Sequence, residues 1–94
     1  FNAEIELTKL EQTDEQSQKV LQALNQLSPR QKEVLYLRYF EELEYNEIAA
    51  MMDISVKGVY KLNSRALETL RGILDMPNSS IISLILLLRL KGIL

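Results

Sequence analysis

The strongest constraint in this sequence is a join of three residues, Asp53-Ile54-Ser55, between two stretches of helical periodicity. Tyr45, Ile48, Ala49 and Met52 precede it at the spacing of one helix face. Val56, Val59, Leu62, Ala66, Leu70 and Ile73 follow it on another. Two helices on so short a link cannot separate, so they cross beside it and their apolar stripes meet. Ala49 and Ala50 are small enough to permit a close crossing. Ser55 stands where the second helix needs an N-cap, a hydroxyl for its orphan N–H groups. The spacing predicts helices over 45–52 and 56–74 in a helix-turn-helix arrangement.

Two more helices precede this pair. Thr13-Asp14-Glu15-Gln16 reads as a capping box, and Val20, Leu21, Leu24 and Leu27 give a stripe for a helix over about 14–26. Ser28-Pro29-Arg30-Gln31 is a stronger start, with Ser28 as N-cap and Pro29 at the first helical position, where a missing N–H costs nothing. Val34, Leu35, Tyr36, Leu37, Tyr39 and Phe40 then predict a largely buried helix over 29–40. Glu41-Glu42-Leu43-Glu44 breaks the period and reads as a connection with Leu43 turned inward. Pro77 ends the fourth helix. The expected fold is all-α: a small helical bundle of helix-turn-helix type, winged-helix-like, with an apolar C-terminal helix. Residues 1–12 read as a linker or frayed segment, 13–75 as the domain and 76–94 as an apolar tail.

The tail is apolar nearly all round from Ile81 to Leu94, broken by Arg89 and Lys91. As a helix, 81–94 would be about 20 Å long against the ~30 Å of a bilayer core, so no membrane span is expected. A helix packed into the domain or against a second copy suits it better. Periodicity leaves a buried strand open.

The chain has no Cys and no His, which removes disulfides, thiolate metal sites and the commonest general base. No glycine-rich phosphate loop occurs, and no Asp/Glu set is organised for metal or acid–base work; Glu41, Glu42, Glu44 and Glu47 read as a solvated acidic surface. Catalytic residues, metal and cofactors are therefore expected to be none, and the chain is not expected to be an enzyme. A cytoplasmic setting agrees with the cysteine count and the acidic N-terminus.

The net charge is −2, which argues against a uniformly basic nucleic-acid binder, but the charge is unevenly spread. Residues 56–74 carry Lys57, Lys61, Arg65 and Arg71 against Glu68 alone, while residues 1–55 are acidic in both halves. A solvated charged helix face gives the same signal, as does a DNA-reading helix. On the face opposite the apolar stripe, Lys57, Tyr60, Lys61, Ser64 and Arg65 are the candidate DNA contacts. Arg hydrogen-bonds guanine in a bidentate manner, Lys and Ser reach bases or phosphates, and Tyr stacks or meets a thymine methyl.

The elements LSPRQKEV, LRYFEEL, YNEIA, MDISV and the RA of SRALETL, in this order between residues 27 and 74, resemble region 4 of extracytoplasmic-function sigma factors of bacterial RNA polymerase. The resemblance covers about half the chain. It implies that the fourth helix reads the minus-35 promoter element, that the domain touches the flap of the polymerase β subunit, and that an anti-sigma factor is a candidate partner. Across the family's frequent Ser-Val-x-Thr-Val-Lys-Ser-Arg, Ser55, Val56 and Val59 match, whereas Tyr60, Lys61 and Leu62 depart, so base preference does not carry over. Gly58 replaces a hydroxyl residue, and Asp53 stands where Gly is common in the turn. Arg65-Ala66 matches, making Arg65 the foremost DNA contact. A sigma factor of this kind also has a region 2, so the chain is expected to be a C-terminal fragment or a shortened relative. The alternatives are a LuxR-type output domain, which shares a start like LSPRQKEVL, and a helical protein-interaction module that dimerises through residues 81–94 without binding DNA.

Overall fold

The computed structural model describes residues 15–90 and Gly92. The expected cap at Thr13 and the segment 1–12 lie outside them. The described residues form five α-helices in order: α1 (Glu15–Leu24), α2 (Pro29–Leu35), α3 (Tyr45–Met52), α4 (Val56–Leu74) and α5 (Asn78–Leu90). A π-helical segment, Tyr36–Phe40, continues α2. Among the described residues there is no strand, and Asn78–Leu90 of the tail is helical.

Local chemistry sets these boundaries. Ser28 has extended backbone angles; its Oγ accepts the Gln31 N–H at 3.2 Å, and its own N–H donates to Gln31 Oε1 at 3.1 Å. The reciprocal pair satisfies two orphan donors at the start of α2. The helix expected over 29–40 does not stay α-helical. From Tyr36 it widens, and the Glu41 N–H donates to the Tyr36 carbonyl five residues back at 3.1 Å. A π turn carries an extra residue and shifts the faces that follow it. Leu37 is buried, while Tyr36 and Phe40 stack with ring centroids 5.6 Å apart. Leu43 is turned inward as its sequence suggests, half-buried, with its N–H on the Leu37 carbonyl at 3.0 Å.

The core is one continuous cluster. It takes Val20, Leu21 and Leu24 from α1, Val34 and Leu35 from α2, Ile48 and Met52 from α3, Val59, Ala66, Leu67 and Leu70 from α4, and Ile81, Ile85 and Leu88 from α5. Helix α5 turns back from α4 through a bend of 95°, and its three buried side chains are fully covered. No helix is long and apolar enough by itself to cross a membrane among the described residues.

Candidate nucleic-acid interface

The turn between α3 and α4 is closed by backbone bonds. Asp53 adopts the left-handed conformation, φ 55° and ψ 48°. Its N–H points to the Ala50 carbonyl at 3.4 Å, and the Ile54 N–H donates to the Ala49 carbonyl at 3.0 Å. This is a Schellman closure, in which the residue past the helix end turns left-handed and the next one packs back. Ile54 packs back against the core. The turn thus keeps, with Asp, the geometry that Gly adopts without strain.

Ser55 then restarts the chain. Its backbone is extended, and its Oγ accepts the Gly58 N–H at 2.9 Å. Ile48, Ala49 and Met52 are buried beneath α4, so α3 braces it. From the other side Arg30, in the first turn of α2, directs Nη2 to the Met52 carbonyl at 3.5 Å. That places a cation at the C-terminus of α3, where the helix dipole favours it. Arg30 was not singled out by the sequence.

Lys57, Tyr60, Lys61, Ser64 and Arg65 are all exposed on α4. At 100° per residue they occupy an arc of roughly 140°, opposite the buried face. The structure therefore brings together all five residues named from the sequence. It departs from the predicted apolar stripe at its two ends: Val56 and Ile73 are 42% and 40% exposed, while Val59 in the first turn and Leu74 in the last turn keep contact with the core. A polar residue fills a stripe position instead. Asn63, four residues after Val59 and three before Ala66, is only 8% exposed.

Asn63 sits among tyrosines. Its Nδ2 donates to the Tyr45 hydroxyl at 3.3 Å, and its amide lies near enough to the Tyr39 phenol to favour the ionised form. The Tyr45 ring stacks on the Tyr60 ring with centroids 4.1 Å apart and an interplanar angle of 21°. The Arg38 guanidinium lies 4.7 Å from the Tyr45 centroid, and its Nη1 donates to the Leu43 carbonyl at 2.9 Å. Tyr60 is thus not a free surface residue: one ring face is taken by Tyr45. Burial raises the Tyr39 phenol above the usual 10.0, opposed by the neighbouring Asn63 amide. Tyr36 is also raised, chiefly by its hydrogen bond with Glu41.

The acidic stretch around the preceding loop is exposed, as expected, but its members also have structural partners, Glu41 in Tyr36 among them. Glu47 Oε1 accepts the Glu44 N–H at 3.0 Å at the start of α3. Glu42 Oε1 accepts from Arg89 Nη1 at 2.7 Å, tying the loop to α5. No group of three or more carboxylates placed to hold a metal occurs among the described residues.

A short bracing helix, a left-handed turn and a longer capped helix with a cationic outer face define a helix-turn-helix module. Residues 17–70 match the family described as Sigma-70, region 4, which is more than half of the chain. The chain is 40% identical over 58 residues to RNA polymerase sigma factor FliA of Yersinia enterocolitica, covering 62% of this chain and 25% of that protein. It is 41% identical over 54 residues to the protein of the same name from Escherichia coli K12, covering 57% and 23%. No solved structure matches. The chain belongs to the sigma-70 region 4 family. It spans about a quarter of the length of the curated relatives it matches.

Proposed function

We propose that this chain is the promoter-reading module of a sigma factor in bacterial transcription initiation, acting in the cytoplasm. Helix α4 enters the major groove at the minus-35 element with its N-terminal turns. Lys57, Lys61, Ser64 and Arg65 meet bases and phosphates there, and Tyr60 shares the face. The observation that carries this reading is the coincidence of exposure and charge: the exposed outer face of the second helix of a capped helix-turn-helix lies in the most basic segment of an otherwise acidic chain. The module binds rather than catalyses. Its protein partner is the RNA polymerase core, through the β flap, and an anti-sigma factor is a further candidate. The extracytoplasmic-function subtype rests on the motifs in residues 27–74.

A second reading draws on α5, where Leu86, Leu87 and Leu90 are exposed at 37%, 42% and 80%. Under it the residues 81–94 form a homodimer contact and DNA affinity is absent.

Fluorescence anisotropy with duplexes bearing candidate minus-35 elements and scrambled controls, at several salt concentrations, separates the two. The DNA reading expects sequence-preferring affinity that falls with salt by a log–log slope of about −0.9 per phosphate contacted. Arg65→Ala should cost about 1–3 kcal/mol at the preferred sequence if Arg65 reads a base. Equal, salt-insensitive affinity for every duplex overturns the DNA reading.

A further inference from the structure

We propose that Tyr60 serves as a positioning residue: stacked on Tyr45, it forms a strut that sets the crossing angle of α4 on α3 and so determines which bases the cationic face can reach. This rests on the promoter-reading function and assigns part of its specificity to a pair of residues. Tyr45 opens α3 about 10 Å before its end, and Tyr60 lies about 6 Å into α4. Their rings meet at 4.1 Å, so the contact spans the angle formed at Asp53-Ile54-Ser55. A contact set away from the corner of two rods resists changes of their angle more than one at the corner.

The strut is anchored at its far side. Arg38, on the π segment, covers the Tyr45 ring at 4.7 Å, and the buried Asn63 amide donates to the Tyr45 hydroxyl at 3.3 Å. Three elements are thereby held to one ring. Stacked aromatic pairs add attraction beyond burial, and a cation over a ring adds to it. Tyr45 contributes no side chain to the outer arc of α4, so its effect on base discrimination passes through its two contacts with α4, the Tyr60 stack and the Asn63 bond, and the helix angle they set.

The test uses the full chain with Tyr45→Leu, Tyr60→Leu, the double variant, and Tyr45→Phe and Tyr60→Phe. Far-UV circular dichroism confirms that each is folded at the assay temperature. The readout is the ratio of affinities for a preferred over a scrambled duplex, with the salt slope. Tyr45→Leu should lower the ratio about three- to tenfold, in line with the strength of a stacked pair. Tyr60→Leu should do the same and the double variant no more. Both Phe variants keep the ring stack and should lower the ratio less than the matching Leu variants, Tyr45→Phe losing only the Asn63 bond, and the salt slope should stay unchanged, because the phosphate contacts remain. If Tyr45→Leu keeps the wild-type ratio while Tyr60→Leu loses it, Tyr60 reads DNA directly and the strut is overturned. If wild type shows salt-sensitive binding without preference, discrimination is absent and the strut falls; if it shows no binding at all, the promoter reading falls with it.

Discussion

At the scale of single residues, the left-handed turn at Asp53 shows what a side chain can tolerate. A residue with φ 55° strains most L side chains, and β-branched ones most of all. Asp53→Val should cost about 1–2 kcal/mol, whereas Asp53→Gly should be neutral or stabilise by up to about 1 kcal/mol; urea midpoints of the two variants check this. The tyrosines give a pH dependence. Tyr39 titrates above 10.0 in the folded chain, so the folded state holds its proton more tightly than the unfolded one. Its contribution is complete below the unfolded value and declines as pH rises through the folded one. Tyr36 shifts in the same direction, through Glu41. Urea midpoints measured between pH ~9 and ~11 should fall, and Tyr39→Phe should flatten that fall. The residues on the outer face of α4 were legible in the sequence because helical spacing fixes which side chains point away from an apolar stripe. The Tyr45–Asn63 bond was not, because it joins positions 18 residues apart, and periodicity assigns faces without saying which faces meet. The one trace was Asn63 itself, a polar side chain within the apolar spacing of α4.

At the scale of elements, α3 and α4 have the bounds that their spacing predicts, 45–52 and 56–74. Each is delimited by chemistry local in sequence: Ser55 at one start, Pro77 after one end. The α2 prediction did less well, since a π segment depends on how Tyr36, Leu37 and Phe40 pack and an apolar run cannot report that. Ser55→Ala removes the acceptor for the Gly58 N–H and should cost about 1 kcal/mol, read from chemical denaturation. Gly58 is coupled to that cap. Replacing it with Ala gains about 1 kcal/mol of helix propensity, but the added Cβ would lie 3.3 Å from Ser55 Oγ and press on the cap. Gly58→Ala should therefore stabilise less in wild type than in a Ser55→Ala background, where the oxygen is gone. Equal gains in both backgrounds would mean that the hydroxyl yields without loss.

At the scale of the whole molecule, the family match ends at residue 70, yet the core does not. Ile81, Ile85 and Leu88 on α5 are fully buried in the same cluster as Val20, Val34 and Leu70. The sequence signalled that this tail needed apolar cover. It did not indicate how much of that cover the bundle itself supplies, because an all-round apolar helix has no face that marks its docking direction. Two kinds of contact hold α5, and their weights differ. The Arg89–Glu42 pair at 2.7 Å has side chains 38% and 65% exposed, so solvent screens it and its removal should cost under about 1 kcal/mol. Ile85→Ala leaves a cavity in a core that cannot fully collapse around it, which should cost about 2–5 kcal/mol. Arg89→Ala should thus shift the urea midpoint little, with the shift disappearing at high salt, while Ile85→Ala should lower it strongly at any salt. If Ile85→Ala proves as mild as Arg89→Ala, α5 is an appendage resting on a bundle that is stable without it. A large loss makes α5 part of the structural unit that holds α4 in place, and every DNA measurement on the module then requires α5 to be present.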